Sequence, residues 1–352
     1  WSAGRVGEAI PLFEEVLAER VRVLGPDHPD TLASRNNLAV AYESVGRLGE
    51  AIPLFEEVLA DRVCVLGADH PDTLTSRGNL AYAYRAAGRL GEAIALFEEV
   101  LADRVRVLGA DHPDTLVSRN NLAYAYESAG RLGEAITLYE QVLADRVRVL
   151  GEDHPHTLAS RNNLAGAYYS AGRLGEAITL FEEVLADRVR VLGEDHPHTL
   201  ASRNNLAGAY YSAGRLGEAI TLFEEVLADR VRVLGDDHPD TLISRNNLAA
   251  AYRAAGRLGE AIPLYEEVLA DRVRVLGDDH PDTLISRNNL AGAYHAVGRV
   301  DDARALLENT LKVCEEVLSP GHPLTTRVRE NLETLEREMN QPPAPSPESS
   351  EE

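Results

Sequence analysis

Lysine is almost absent from this 352-residue chain. Lys312 is the single one, and Arg supplies the other 34 basic residues. Basic residues are themselves outnumbered, 35 against 57 acidic, for a formal charge of −22. That balance argues against a protein that holds nucleic acid by neutralising phosphates, and against one that docks on an anionic membrane. No apolar run reaches the length of about 18 residues that a membrane-spanning helix requires. The two cysteines, Cys64 and Cys314, form no spaced framework and fit a reducing compartment. With no charged-then-apolar leader in view, the expected location is cytoplasmic. Catalytic signatures are missing too: there is no Gly-rich phosphate loop with a Lys, no nucleophile elbow and no Cys-His pair tied to a motif. No enzyme activity and no cofactor are expected.

What is abundant is repetition. Gly-Arg recurs at Gly4, Gly46, Gly88, Gly130, Gly172, Gly214, Gly256 and Gly298, always 42 residues apart. His-Pro keeps the same step from His28 to His322. A fixed period of that size means stacked supersecondary units in place of separate globular domains. Hydrophobic content of 44% is ample for a packed array.

One unit reads as two helices. The first is predicted from about Pro29 to Val45, with Pro29 at a first-turn position, Asp30 near the positive helix end and Gly46 as the stop. On a helical wheel Ser34, Leu38, Ala41, Tyr42 and Val45 share the packing face. The second helix is predicted from about Leu48 to Leu66, with Ala51, Ile52, Phe55, Val58 and Leu59 on its apolar side. Pro53 lies inside it, so that position must bend or face solvent. Residues 1–340 are expected to form one continuous array closed by a capping helix at about 323–339. Residues 341–352, rich in Pro, Ser and Glu, are expected to be a disordered acidic tail. Trp1 falls in mid-pattern, which reads as a piece of a longer chain that opens on a bare second helix. Its Ile10, Phe13, Val16 and Leu17 are expected to lack a preceding partner, and to form an exposed apolar patch that favours homo-oligomers through residues 1–24.

These residues resemble the tetratricopeptide repeat. Asn37-Leu38-Ala39, Tyr42, Gly46, Ala51 and Phe55 stand at its positions, and the 42-residue unit is similar to the kinesin light chain type through Pro53-Leu54-Phe55-Glu56, Val65-Leu66-Gly67 and Asp69-His70-Pro71-Asp72. Arg35, at a usually bulky position, departs from the pattern. The resemblance implies an all-α, right-handed α-solenoid of stacked helix-turn-helix units whose first helices line a concave groove. It implies a protein or peptide partner for that groove. In bacteria, arrays that resemble this one often follow an ATPase signalling module of the NB-ARC type, so a recognition part of a larger signalling protein is the implied context.

Three columns of the first helix vary between units while their neighbours do not. They run through Ala33, Val40 and Glu43 and include Tyr82, Tyr124, Arg85, Tyr169, Tyr211, Arg253 and His295. On the wheel they fall opposite Leu38, with Asn36. Glu56, Glu57 and Asp61 on the second helix should be equally exposed yet hardly change, so exposure alone does not explain the variation. Beside these columns stands a ladder of Asn36, Asn120, Asn162, Asn204, Asn246 and Asn288, interrupted by Gly78. A second column runs through Asn37, Asn121, Asn163 and Asn205. Amides donate and accept, so such a ladder can hold the backbone of an extended peptide. For the Asn37 column a bond to the next unit's backbone is an equal alternative. Arg35 and its repeats lie at the edge of the packing face and are expected to pair with acids on the neighbouring helix. The His28 column reads as helix capping rather than metal binding. A spacer or self-assembling array with an empty groove is the alternative to a peptide-binding scaffold.

Overall fold

A computed structural model describes residues 3–318 and 321–340, with side chains from residue 9 onward. The described residues form sixteen α-helices and no strand. They divide into two compact units, residues 1–180 and 181–352. The first unit holds α1 (Ala3–Leu24), α2 (Pro29–Ser44), α3 (Leu48–Leu66), α4 (Pro71–Ala86), α5 (Leu90–Leu108), α6 (Pro113–Ser128), α7 (Leu132–Leu150) and α8 (Pro155–Ser170). The division falls inside α9 (Leu174–Leu192). The second unit continues with α10 (Pro197–Ser212), α11 (Leu216–Leu234), α12 (Pro239–Ala254), α13 (Leu258–Leu276), α14 (Pro281–Ala296), α15 (Val300–Val317) and α16 (Pro323–Met339). The expected acidic tail, 341–352, lies outside the described residues.

Local chemistry sets each boundary. The His28 ring accepts a hydrogen bond at Nδ1 from the Asp30 N–H at 3.2 Å, which satisfies one of the unpaired donors at the start of α2. Every first helix is capped this way through His322. At the other end Gly46 takes φ of 79°, where a side chain would be strained, and the Arg47 N–H reaches back to the Tyr42 carbonyl at 2.9 Å. Pro53 and Pro263 sit inside straight-through helices at exposed positions, so their missing N–H is lost on the solvent side. In the same column the Thr137 hydroxyl donates to the Gly133 carbonyl.

The core follows the predicted faces. Leu38, Ala41, Tyr42, Ala51, Phe55 and Val58 are buried, as are most of their counterparts in later repeats, with Tyr168, Tyr294 and Leu332 half-buried. Consecutive helices pack against one another through each unit. Arg35 pairs with Asp61 on the next helix, and Arg77 with Asp103 at 2.6 Å, as the edge position suggested. Tyr42 donates to Glu14 on the preceding helix and carries the Arg47 guanidinium over its ring at 4.4 Å. At α1 the sequence expectation needs correction. Ile10 is buried, and Phe13 and Leu17 pack half-buried against the same core, because α1 lies on α2 as every second helix lies on the next first helix. Val16 stays exposed, with Leu12, Val21, Val23 and Leu24.

Candidate functional site

First helices touch each other directly: α2 meets α4, α4 meets α6 and α6 meets α8, and the same holds from α10 to α16. This side-by-side row brings the asparagine columns together. Asn79 donates from Nδ2 to Asn36 Oδ1 at 3.1 Å, and Asn163 to Asn120 at 3.0 Å. In the second unit Asn247 bonds Asn204, Asn289 bonds Asn246 and Asn331 bonds Asn288. The partner of an Asn37-type residue is therefore the Asn36-type side chain of the preceding repeat, where a backbone bond had been the alternative. Asn36 and Asn288 are consequently buried rather than open, while Asn120, Asn162, Asn204 and Asn246 are half-buried. An amide carries two donors and a two-lone-pair acceptor, so each pair keeps bonding capacity beyond the bond they share. Gly78 interrupts the ladder and removes the acceptor that Asn121 would use.

The varied columns lie on this row. Tyr124 and Tyr169 are exposed at 44% and 40%, and Tyr211 is half-buried. Tyr82 is half-buried with its ring edge-on to Phe97, centroids 5.2 Å apart. Burial raises its hydroxyl pKa, and the Arg85 charge and the Asn121 amide pull it back. Arg85 lies over the Tyr124 ring at 4.5 Å and 5.9 Å from that of Tyr82. Its Nε is buried with no hydrogen-bond partner. Burial pushes the Glu43 carboxyl above its usual range, against the opposing charge of Arg85. Glu127 accepts from Ser170 at 2.8 Å and from the Tyr139 hydroxyl at 3.3 Å. The first unit thus offers exposed aromatic rings beside mixed charge.

In the second unit Arg253 and His295 reach one cavity of about 460 Å³ between α14 and α16, with Asn288, Asn289, Asn331 and Arg327 also in its wall. His295 Nε2 stands 2.8 Å from a Glu338 carboxylate oxygen. Asn331 closes the Asn37 column of the sequence. Sequence reasoning missed Arg327, because α16 reads as a polar cap.

None of these residues forms a nucleophile–base pair. Among the described residues no three metal-ligating side chains converge, and no helix is long and apolar enough to cross a membrane.

Comparison with known proteins agrees with the repeat. The tetratricopeptide repeat family matches in overlapping stretches from residues 1–62 through 282–344. Nothing matches among curated proteins. Among solved structures, the nearly identical TPR-like repeats of kinesin light chain type from Podosopora anserina are 40% identical, with 58% of this chain and 97% of that one covered and a TM-score of 0.52. BtubC from P. vanneervenii is 23% identical over 67% of this chain and 92% of its own, with a TM-score of 0.51. A tetratricopeptide repeat protein from Parabacteroides merdae shares the fold at 15% identity, covering 87% of this chain and 98% of its own, with a TM-score of 0.57. Capped helix pairs at a 42-residue period, the asparagine ladder and the family match across the chain lead to one assignment: the protein belongs to the tetratricopeptide repeat family.

Proposed function

We propose that this chain is a non-catalytic scaffold that holds an extended peptide or protein segment in a groove along its first helices, as the recognition part of a larger cytoplasmic signalling protein. Tetratricopeptide repeats are typically protein-interaction scaffolds, and the proposal assigns that use to this face. The observation that carries it is the exposure of Tyr124 and Tyr169 beside the asparagine ladder. Rings open to solvent at 44% and 40% present a rigid aromatic surface, and rigid aromatic anchors dominate binding surfaces. A spacer with an empty groove has no use for them.

A random-peptide display library selected on the intact chain tests the reading. Selected peptides should lose binding to the Tyr124→Ala, Tyr169→Ala double variant while its thermal melt stays nearly unchanged. Peptides that bind the double variant equally well would defeat the assignment, and unfolding of the variant would place the rings in the core. Tyr211→Ala alone asks the same question of the second unit.

A further inference from the structure

We infer that the cavity between α14 and α16 recognises a phosphorylated side chain, with Arg253 and Arg327 holding the phosphate. This rests on the reading of the first-helix face as a peptide-binding surface and names the chemistry it takes at one end.

Arginine pairing is nearly complete in the second unit. Among its described residues every arginine side chain except Arg253 and Arg327 donates a hydrogen bond. In a chain of charge −22, two guanidiniums that donate to no group at all are an exception, since even the arginines without a carboxylate beside them, such as Arg188, Arg230 and Arg272, donate to a Ser hydroxyl and a carbonyl. Both border the same 460 Å³ cavity.

The cavity has a traceable origin in the sequence. Arg85 and Arg253 occupy equivalent places in their repeats. Arg85 rests on the ring of Tyr124 in the next first helix. The residue equivalent to Tyr124 for Arg253 is Gly292, and the guanidinium lies so close over it that an added Cβ would come within 2.6 Å of Arg253 Nη1. The missing ring leaves open space, and Arg327 borders it from α16.

The donor set suits a phosphate monoester better than a single carboxylate. A phosphorylated side chain carries about −1.5 to −2 charge at neutral pH and three acceptor oxygens. Two planar guanidiniums balance that charge and match its oxygens in a forked geometry. The Asn288 amide, whose Oδ1 already accepts from Asn331, still has both of its N–H groups to give. The remaining N–H groups of Asn289 and Asn331 add further donors. His295 Nε2 is already engaged by Glu338 at 2.8 Å, so it is not counted among the phosphate ligands.

The probe is acetyl-Gly-Gly-phosphoserine-Gly-Gly-amide, with serine and glutamate in place of phosphoserine as comparisons, titrated into the intact chain by calorimetry. The phosphoserine peptide should bind, be displaced by inorganic phosphate, and weaken by at least about tenfold in Arg253→Gln with Arg327→Gln, the loss of charge-assisted bonds. Arg337→Gln, on the same helix but outside the cavity, should leave binding unchanged. Gly292→Ala, which pushes Arg253 aside, should weaken it without touching either charge. Three results overturn the inference: no binding of the phosphoserine peptide, equal binding of the glutamate peptide, or binding that survives the double arginine variant with its melt intact. If library peptides still depend on Tyr124 and Tyr169 when any of these occurs, the scaffold reading stands and only the phosphate assignment falls.

Discussion

Arg146 donates from Nη1 to the Ser160 hydroxyl at 2.6 Å, and from the same nitrogen to the His156 carbonyl at 3.0 Å, latching the second helix of one repeat to the first helix of the next. Arg146 is 6% exposed with no carboxylate against it, and burial lowers its pKa from the usual value. The latch recurs as Arg62–Ser76 in the first unit and as Arg188–Ser202, Arg230–Ser244 and Arg272–Ser286 in the second. Arg146→Ala should lower stability by about 1–3 kcal/mol, because a buried hydroxyl and a carbonyl lose their donor. An unchanged urea midpoint would show that the latch adds nothing to the stack.

Leu164 sits 5% exposed at the centre of the packing face of α8. Leu164→Ala should cost about 2–5 kcal/mol, the range for a buried leucine truncation. A cost under about 0.5 kcal/mol, the range of surface changes, would remove it from the core.

Gly78 breaks the asparagine ladder inside α4, and no heavy atom lies within 4 Å of where its Cβ would stand. Gly78→Asn should therefore stabilise the first unit by about 0.5–1.5 kcal/mol, through helix propensity and a restored acceptor for Asn121. A lower melting temperature would contradict the ladder's contribution.

His156 and His198 replace the aspartate found at this helix-start position in neighbouring repeats. Burial, then Arg146 or Arg188, then the adjacent His154 or His196, lowers the pKa of each from 6.5. A lowered histidine pKa means the unfolded chain binds the proton more readily. Their contribution is then complete above pH 6.5 and is lost as pH falls through the folded value. The chain should lose stability on mild acidification, and His156→Asp with His198→Asp should flatten that loss. An identical pH profile in the double variant would refute this.

Tyr126, Tyr210 and Tyr252 titrate the other way. Burial first, and then a hydrogen bond to Glu98, Glu182 or Glu224, pushes each hydroxyl up to about 12. The sign is that of a raised pKa: their stabilisation is whole below the unfolded value of 10.0 and disappears as pH climbs towards 12. Base denaturation should set in over that window, and Tyr126→Phe should blunt it. A spectroscopic titration with all tyrosines ionising near 10 would exclude these bonds.

The repeat, its helix boundaries and its core were legible because they depend on local rules. A 42-residue period, Pro at each helix start, Gly at each stop and 3–4 spacing of Leu38, Tyr42, Phe55 and Val58 specify capped amphipathic pairs whatever surrounds them. The Arg35–Asp61 pair and the His28 cap were readable for the same reason, since the partners lie on adjacent elements. What only the tertiary structure decided is how one repeat meets the next. Arg62, Arg146, Arg188, Arg230 and Arg272 look like solvated charge on the second helix, yet they are buried across the repeat boundary. Asn36 looks open on a wheel, yet the neighbouring first helix covers it and supplies Asn79. The cavity at Arg253 needs Gly292, 39 residues away, and Arg327 from a third helix. A helical wheel records the angle of a side chain about its own axis, while burial and pairing depend on the distance between axes, which packing alone sets.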